Sequence, residues 1–229
     1  MPPSSTRLLV RDELIGFARS KVMLVLWVVL PCIALLGFLT LGNHVLGGAG
    51  ARMTATAFMS FLESSLAGTV AALMIAVDLV SERNRNVYVL LAIRPIRREA
   101  IVWAKLLAVF GCVTVACVVS LLLGIVVDLV RGHPPTADGL YDTARALVSM
   151  TAVVALSTAA GALFGVLART ILVAVILVLY VGQNVAIVPM LPAYLGVLPD
   201  RFWLFMVISA ALAAIVSWLA GLAFRRLQL

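Results

Sequence analysis

The chain has 229 residues, of which 64% are hydrophobic and 12% charged, with a formal net charge of +7. Soluble domains hold roughly 45–50% apolar and about 25% charged residues, so this composition excludes a soluble globular protein and indicates an integral membrane protein. The positive charge sits at the ends of apolar runs and forms no basic face, which excludes a nucleic-acid partner.

Pro2 and Pro3 open the chain, and Ser4, Ser5 or Thr6 can cap a helix that follows. Val10, Leu14 and Phe17 recur at helical spacing, so residues 4–21 read as an amphipathic helix in the headgroup plane. The segment runs into a span-length apolar stretch without a small-residue cleavage site, so it is not read as a signal peptide. A spanning helix needs about 20 apolar residues. Six runs meet that length: 22–41, 58–80, 106–127, 146–168, 171–191 and 202–224. They lack period-two alternation, so the predicted fold is an all-α, six-span single domain over residues 1–229.

Basic residues set the orientation. Arg7, Arg11, Arg19, Lys21, the six in residues 81–105, Arg169, Arg225 and Arg226 put 13 on one side. Arg52, Arg131, Arg145 and Arg201 leave 4 on the other. The richer side is expected to be cytoplasmic, with both termini inside a plasma or inner membrane. Only Arg169 and Thr170 separate the fourth and fifth runs. A tight cytoplasmic hairpin fits there, and a displaced boundary or re-entrant piece is the alternative. Pro189, Pro192 and Pro199 predict a broken segment at the outer surface.

The most telling stretch joins the second and third runs. Residues 81–105 read SERNRNVYVLLAIRPIRREAIVWAK and carry 8 of the 27 charged residues. A short turn suffices to join two spans. Val87 to Ile93 is apolar but too short to cross a bilayer, and Pro95 ends any helix it forms. A short surface helix, a corner and a second helix present a rigid knob to a cytoplasmic partner.

Glu82-Arg83, then Leu90-Leu91, then Pro95-x-x-Arg98-x-x-Ile101-x-x-x-Lys105 resembles the pattern of the ABC-2 type permeases, membrane subunits of ATP-binding-cassette exporters. The likeness extends to the N-terminal helix, the six-span layout and the proline-broken outer segment. Asn86-Val87 stand where similar proteins usually carry Gly-Thr, and Val89 replaces a frequent acidic residue. Asn86 can adopt the left-handed conformation of a glycine. The resemblance implies that residues 81–105 form a coupling helix seated in a groove of an ATPase subunit. It makes Glu82, Arg83, Arg94, Pro95, Arg97 and Arg98 the candidates for contact or positioning. Arginine suits that task because its fork holds carboxylates in a bidentate manner. The positive-inside rule alone also accounts for arginines here, but it does not require the Leu-Leu…Pro…Arg spacing.

Polar residues within spans are costly and mark function or packing. Glu63 is a candidate for the substrate pathway or for a hydrated place near the outer interface. Asp78, at the inner end, is expected to pair with an arginine such as Arg83. Gln183 and Asn184 fall mid-span; interhelical hydrogen bonds are favoured, and Asn184 is also a candidate for substrate contact. Gly161-x-x-x-Gly165 permits close helix approach, within one chain or between two.

Cys32, Cys112 and Cys117 lie in apolar runs, and His44 and His133 are far apart, so no disulfide framework or metal spacing arises. There is no G-x-x-x-x-G-K-[ST], H-E-x-x-H or G-x-S-x-G motif. The chain is therefore expected to be no enzyme and to hold no cofactor, with ATP and Mg on a separate ATPase subunit. The expected assembly has two permeases, this chain twice or with a similar one, moving a hydrophobic or amphipathic substrate outward through the lipid bilayer. Ion-coupled secondary transport through Glu63 or Asp78 and a non-transporting assembly or regulatory role are the alternatives. The former predicts an inverted repeat with paired broken helices, which the sequence does not display. An intramembrane enzyme needs converging acids or a nucleophile with its base, whereas Glu63 and Asp78 lie near opposite faces.

Overall fold

The computed structural model describes residues 3–41, 55–85, 98–130, 137–190 and 201–226. Arg94, Pro95 and Arg97, the surface helix expected over Val87 to Ile93, and most of the proline-broken outer segment lie outside the described residues.

The described chain is helical, without strands. An N-terminal helix α1 (Pro3–Ala18) leads into α2 (Lys21–Leu41), then α3 (Ala55–Asn84), α4 (Arg98–Val130) and α5 (Ala137–Leu167). The rod α6 (Ile171–Ile187) follows, and α7 (Phe202–Arg226) closes the bundle. Four stretches are long and apolar enough to cross a membrane: Leu62–Asn84, Glu99–Val127, Leu140–Leu167 and Phe202–Arg226. Lys21–Gly37 of α2 passes the same test together with Leu9–Ala18 of α1, from which it bends by 61°. Ser20 caps the bend, its Oγ accepting from Met23 N–H at 3.2 Å. The rod α6 is shorter, a length at the low end of the about 17–25 residues that span. It carries a π turn at Val178–Gly182 and ends in a 3-10 turn at Val188–Met190 that includes Pro189.

The packing face of α1 differs from the sequence expectation. Leu9 and Phe17 meet the core, and Glu13 lies between them at one helical turn from each, whereas Leu14 is 41% exposed. The buried ammonium described below draws Glu13 inward, and a period read from apolar residues alone misplaces the face by about one position.

Small residues set the tightest packing. On α3, Gly68, Ala72 and Ala76 repeat every four residues and meet Ser157, Gly161 and Gly165 of α5. A Cβ on Gly161 would stand 2.5 Å from the Ala72 Cα, and one on Gly165 would stand 2.8 Å from the Ala76 Cα. The Gly161/Gly165 motif thus serves packing within the chain. Such close approach replaces the hydrophobic drive that lipid removes.

Elsewhere Met23, Leu26 and Leu30 of α2 are buried in the core that includes Val109 and Val113 of α4. Trp27 Nε1 donates to the Cys112 carbonyl at 3.3 Å. The guanidinium of Arg145 lies 4.4 Å from the Phe202 ring centre, tying α5 to the start of α7.

Candidate functional site

Four charged residues flanking the connector, Glu82, Arg83, Glu99 and Lys105, are engaged with neighbouring helices. Helix α3 continues through Glu82 and Arg83 to Asn84, and α4 starts at Arg98. Seven residues into α4, Lys105 is buried, with 2% of its side chain exposed. Its Nζ lies 2.6 Å from Asp78 Oδ2, 2.8 Å from Glu82 Oε1 and 3.3 Å from Glu13 Oε1. Asp78 and Glu82 are one turn apart on α3, so both face the same neighbour. The Phe17 ring centre stands 5.7 Å from the ammonium. Three donors meet three carboxylates, and the group joins α1, α3 and α4 at one point.

The pairing of Asp78 with Arg83 expected from sequence does not occur. Five positions apart on a helix, the two side chains face different neighbours. Arg83 turns to α5 and donates to the carbonyls of Val166, at 3.1 Å, and Ala168. Those carbonyls lie at the end of α5 and lack helical partners of their own, and the cation also suits the negative pole there. Thr170 then caps α6, its Oγ1 accepting from Val173 N–H at 3.4 Å. The link is thus a tight turn of three residues, one more than expected, with α5 ending at Leu167 and α6 beginning at Ile171.

A third tie joins α4 to α7, where Glu99 Oε2 lies 3.5 Å from Arg225 Nη1. Residues on both sides of the connector therefore grip α1, α5 and α7 through charged groups. Among the described residues, Glu82 Oε2 is buried without a partner.

The two proposed pathway residues occupy separate places. Glu63 is 4% exposed, and among the described residues its Oε1 has no hydrogen-bond partner. Ser120 of α4 lies near its carboxyl and donates its own hydroxyl to the Ala116 carbonyl at 3.1 Å. Asn184 is exposed on the outer side of α6, where its Nδ2 donates to the Tyr180 carbonyl within the same helix. The interhelical bonds expected of the Gln183–Asn184 pair fall to Gln183. Its Nε2 donates to the Ser65 carbonyl and Oγ at 3.0 and 2.6 Å, and its Oε1 accepts from the Thr69 hydroxyl. Adjacent helical residues diverge by about 100°, so only one of the two can face α3. Replacing Gln183 by Leu removes all three links. We expect a loss of about 1–2 kcal/mol, read as a lower melting temperature in detergent, with Asn184→Leu nearly neutral.

A model of the ABC-2 family transporter proteins matches residues 9–184. The chain belongs to that family. The match runs from α1 into α6 and takes in the whole Lys105 cluster. No curated protein matches the chain. For this ABC-2 protein, the sequence motif held both Glu82 and Lys105 without pairing them, and it missed Asp78 and Glu13. Glu13 escaped because it interrupts an apolar face. The i, i+4 spacing of Asp78 and Glu82 is the signal that could have paired both with Lys105. No group of three or more His, Cys, Asp or Glu among the described residues is placed to hold a metal.

Proposed function

We propose that this ABC-2 permease is half of a two-permease exporter driven by a separate cytoplasmic ATPase pair. Each permease contributes six spans: the four long helices, α2 and α6. Both termini face the cytoplasm of the plasma or inner membrane, with α1 lying along its surface. ATP and Mg are bound and used by the ATPase, and this chain performs no hydrolysis. Arg94, Pro95, Arg97 and Arg98 form the contact with the ATPase. Glu82 and Arg83 instead position that contact, since their side chains are engaged with Lys105 and with α5.

The observation that carries this reading is the Lys105 cluster. A push on a free loop dissipates in the loop, whereas a push on a segment bounded by Glu82 and Lys105 moves α1, α3 and α4 together. Arg83 and Glu99 pass the motion to α5 and α7. Switching such a bundle between two arrangements needs several kcal/mol of differential ATP-linked binding. The substrate is hydrophobic or amphipathic, in keeping with apolar spans and few buried charges. The outward face of α6 meets the second permease: Asn184 and Tyr180 sit there one turn apart, and an amide in lipid is stabilised by a polar neighbour.

Glu63 supports a second reading, ion-coupled secondary transport, because a buried carboxyl without a full set of partners suits an ion pathway. One experiment separates the two. Arg97→Glu with Arg98→Glu should abolish retention of the ATPase and ATP-driven efflux while the chain stays in the membrane. Intact ion-coupled flux in that variant would favour the second reading.

A further inference from the structure

Between α5 and α7, at the end that carries Arg225 and Arg226, the surface opens into a groove of about 520 Å³. Among the described residues its lining is Leu163 and Leu167 from α5, and Leu219, Leu222, Ala223 and Arg226 from α7. Five apolar side chains and one arginine make an amphipathic slot. Leu219 and Leu167 are 41% and 59% exposed, so the groove is open along its flank rather than sealed in the bundle. Its volume is within the about 300–1,000 Å³ of small-molecule sites.

The two terminal arginines differ in their commitments. Arg225 reaches Glu99, whereas among the described residues no carboxylate lies within ion-pair distance of Arg226. Arg226 is the last residue of the stretch Phe202–Arg226, so in the membrane orientation proposed above its guanidinium falls at headgroup depth. A cation at that depth above apolar walls matches one chemistry: a phosphate joined to an acyl chain.

We propose that this groove binds one anionic glycerophospholipid, its phosphate on Arg226 and an acyl chain along Leu163, Leu167, Leu219 and Leu222. The assignment rests on the membrane orientation proposed above, with the α7 C-terminus in the cytoplasmic leaflet. It is independent of the ATPase contact and of the transported substrate. A bound lipid here bridges α5 and α7 beside the Glu99–Arg225 pair.

The test uses the full chain in bilayer discs of equal phosphatidylglycerol and phosphatidylcholine, released into mild detergent and weighed by native mass spectrometry. The expected result is one retained phosphatidylglycerol per chain. Arg226→Ala should lower that retention about five-fold, the effect of one interfacial arginine on anionic lipid. Ala223→Trp, which fills the groove and leaves the charge, should lower it as well. Arg11→Ala, which removes an exposed charge elsewhere at the same interface, should leave it unchanged. Equal retention in Arg226→Ala and the unaltered chain would overturn the proposal. So would equal retention of phosphatidylcholine, or a disulfide between two chains through Leu219→Cys, which would make the groove a contact between copies. Because ATPase retention is read separately with Arg97→Glu and Arg98→Glu, loss of either result leaves the other intact.

Discussion

Replacing Lys105 by Met should be the most damaging single change in the inner half of the bundle. The ammonium is buried against Asp78, Glu82 and Glu13, and its loss leaves three carboxylates without their shared cation. Breaking a fully buried ion pair from one side costs about 3–5 kcal/mol, but the three carboxylate side chains keep 23–32% exposure, so water offsets part of the loss and about 2–3 kcal/mol is expected. We expect a sharp fall in folded yield and in the melting temperature of the purified chain, and loss of ATP-driven transport in whatever folds. Lys105→Arg keeps the charge but substitutes a planar fork for a point donor, so it should recover stability only in part. Removing the opposing charge distinguishes the cause. Asp78→Asn with Glu82→Gln, added to Lys105→Met, should restore much of the stability, since only the partly exposed Glu13 is then left without the cation. Transport should stay impaired in that triple variant, because the link between connector and helices is gone. A Lys105→Met chain as stable as the unaltered one would contradict the cluster as a structural joint.

Gly161→Leu should rival it in size through a different mechanism. The added Cβ would stand 2.5 Å from the Ala72 Cα and 2.8 Å from its carbonyl carbon. These are backbone atoms, so no rotamer change relieves the clash and α3 must move away from α5. Overpacking usually costs about 1–3 kcal/mol, and the upper end or beyond is expected where the backbone itself must shift. Ala72→Gly should not rescue it, because the obstructing atoms are those every residue has. Gly111→Leu is the internal comparison: a Cβ there meets nothing within 4 Å, and its effect should be small. Thermal unfolding in one detergent, followed for all three variants, reads the contrast.

Apolar runs were legible because run length is a property of the bilayer rather than of tertiary contacts: four of the six expected spans are long and apolar enough to cross, while α4 and α5 begin well before the starts read from sequence. Ile171 and Phe202 begin their helices where the sequence placed them, and Thr170 caps as a helix-start residue should. What sequence did not supply was which polar residues face each other. Lys105 was found as the last position of a motif, but its partners come from α3 and, ninety-two residues away, α1. Periodicity marks the apolar side of a helix and is blind to a carboxylate drawn into that side by a buried cation, which is why Glu13 was missed. Arg83 went unassigned to α5 for a related reason: its acceptors are backbone carbonyls at a helix end, and every helix has those. Gln183 and Asn184 are adjacent and chemically alike, and only the rotation of α6 against α3 decides which is buried glue and which is exposed.

The account stands most directly on what holds the connector from outside. The deciding measurement is gentle purification of the unaltered chain from its own membrane, with the accompanying proteins identified and counted. The account predicts a soluble ATP-binding-cassette ATPase in equal amount. A chain recovered alone, under conditions in which other membrane complexes stay whole, would contradict it.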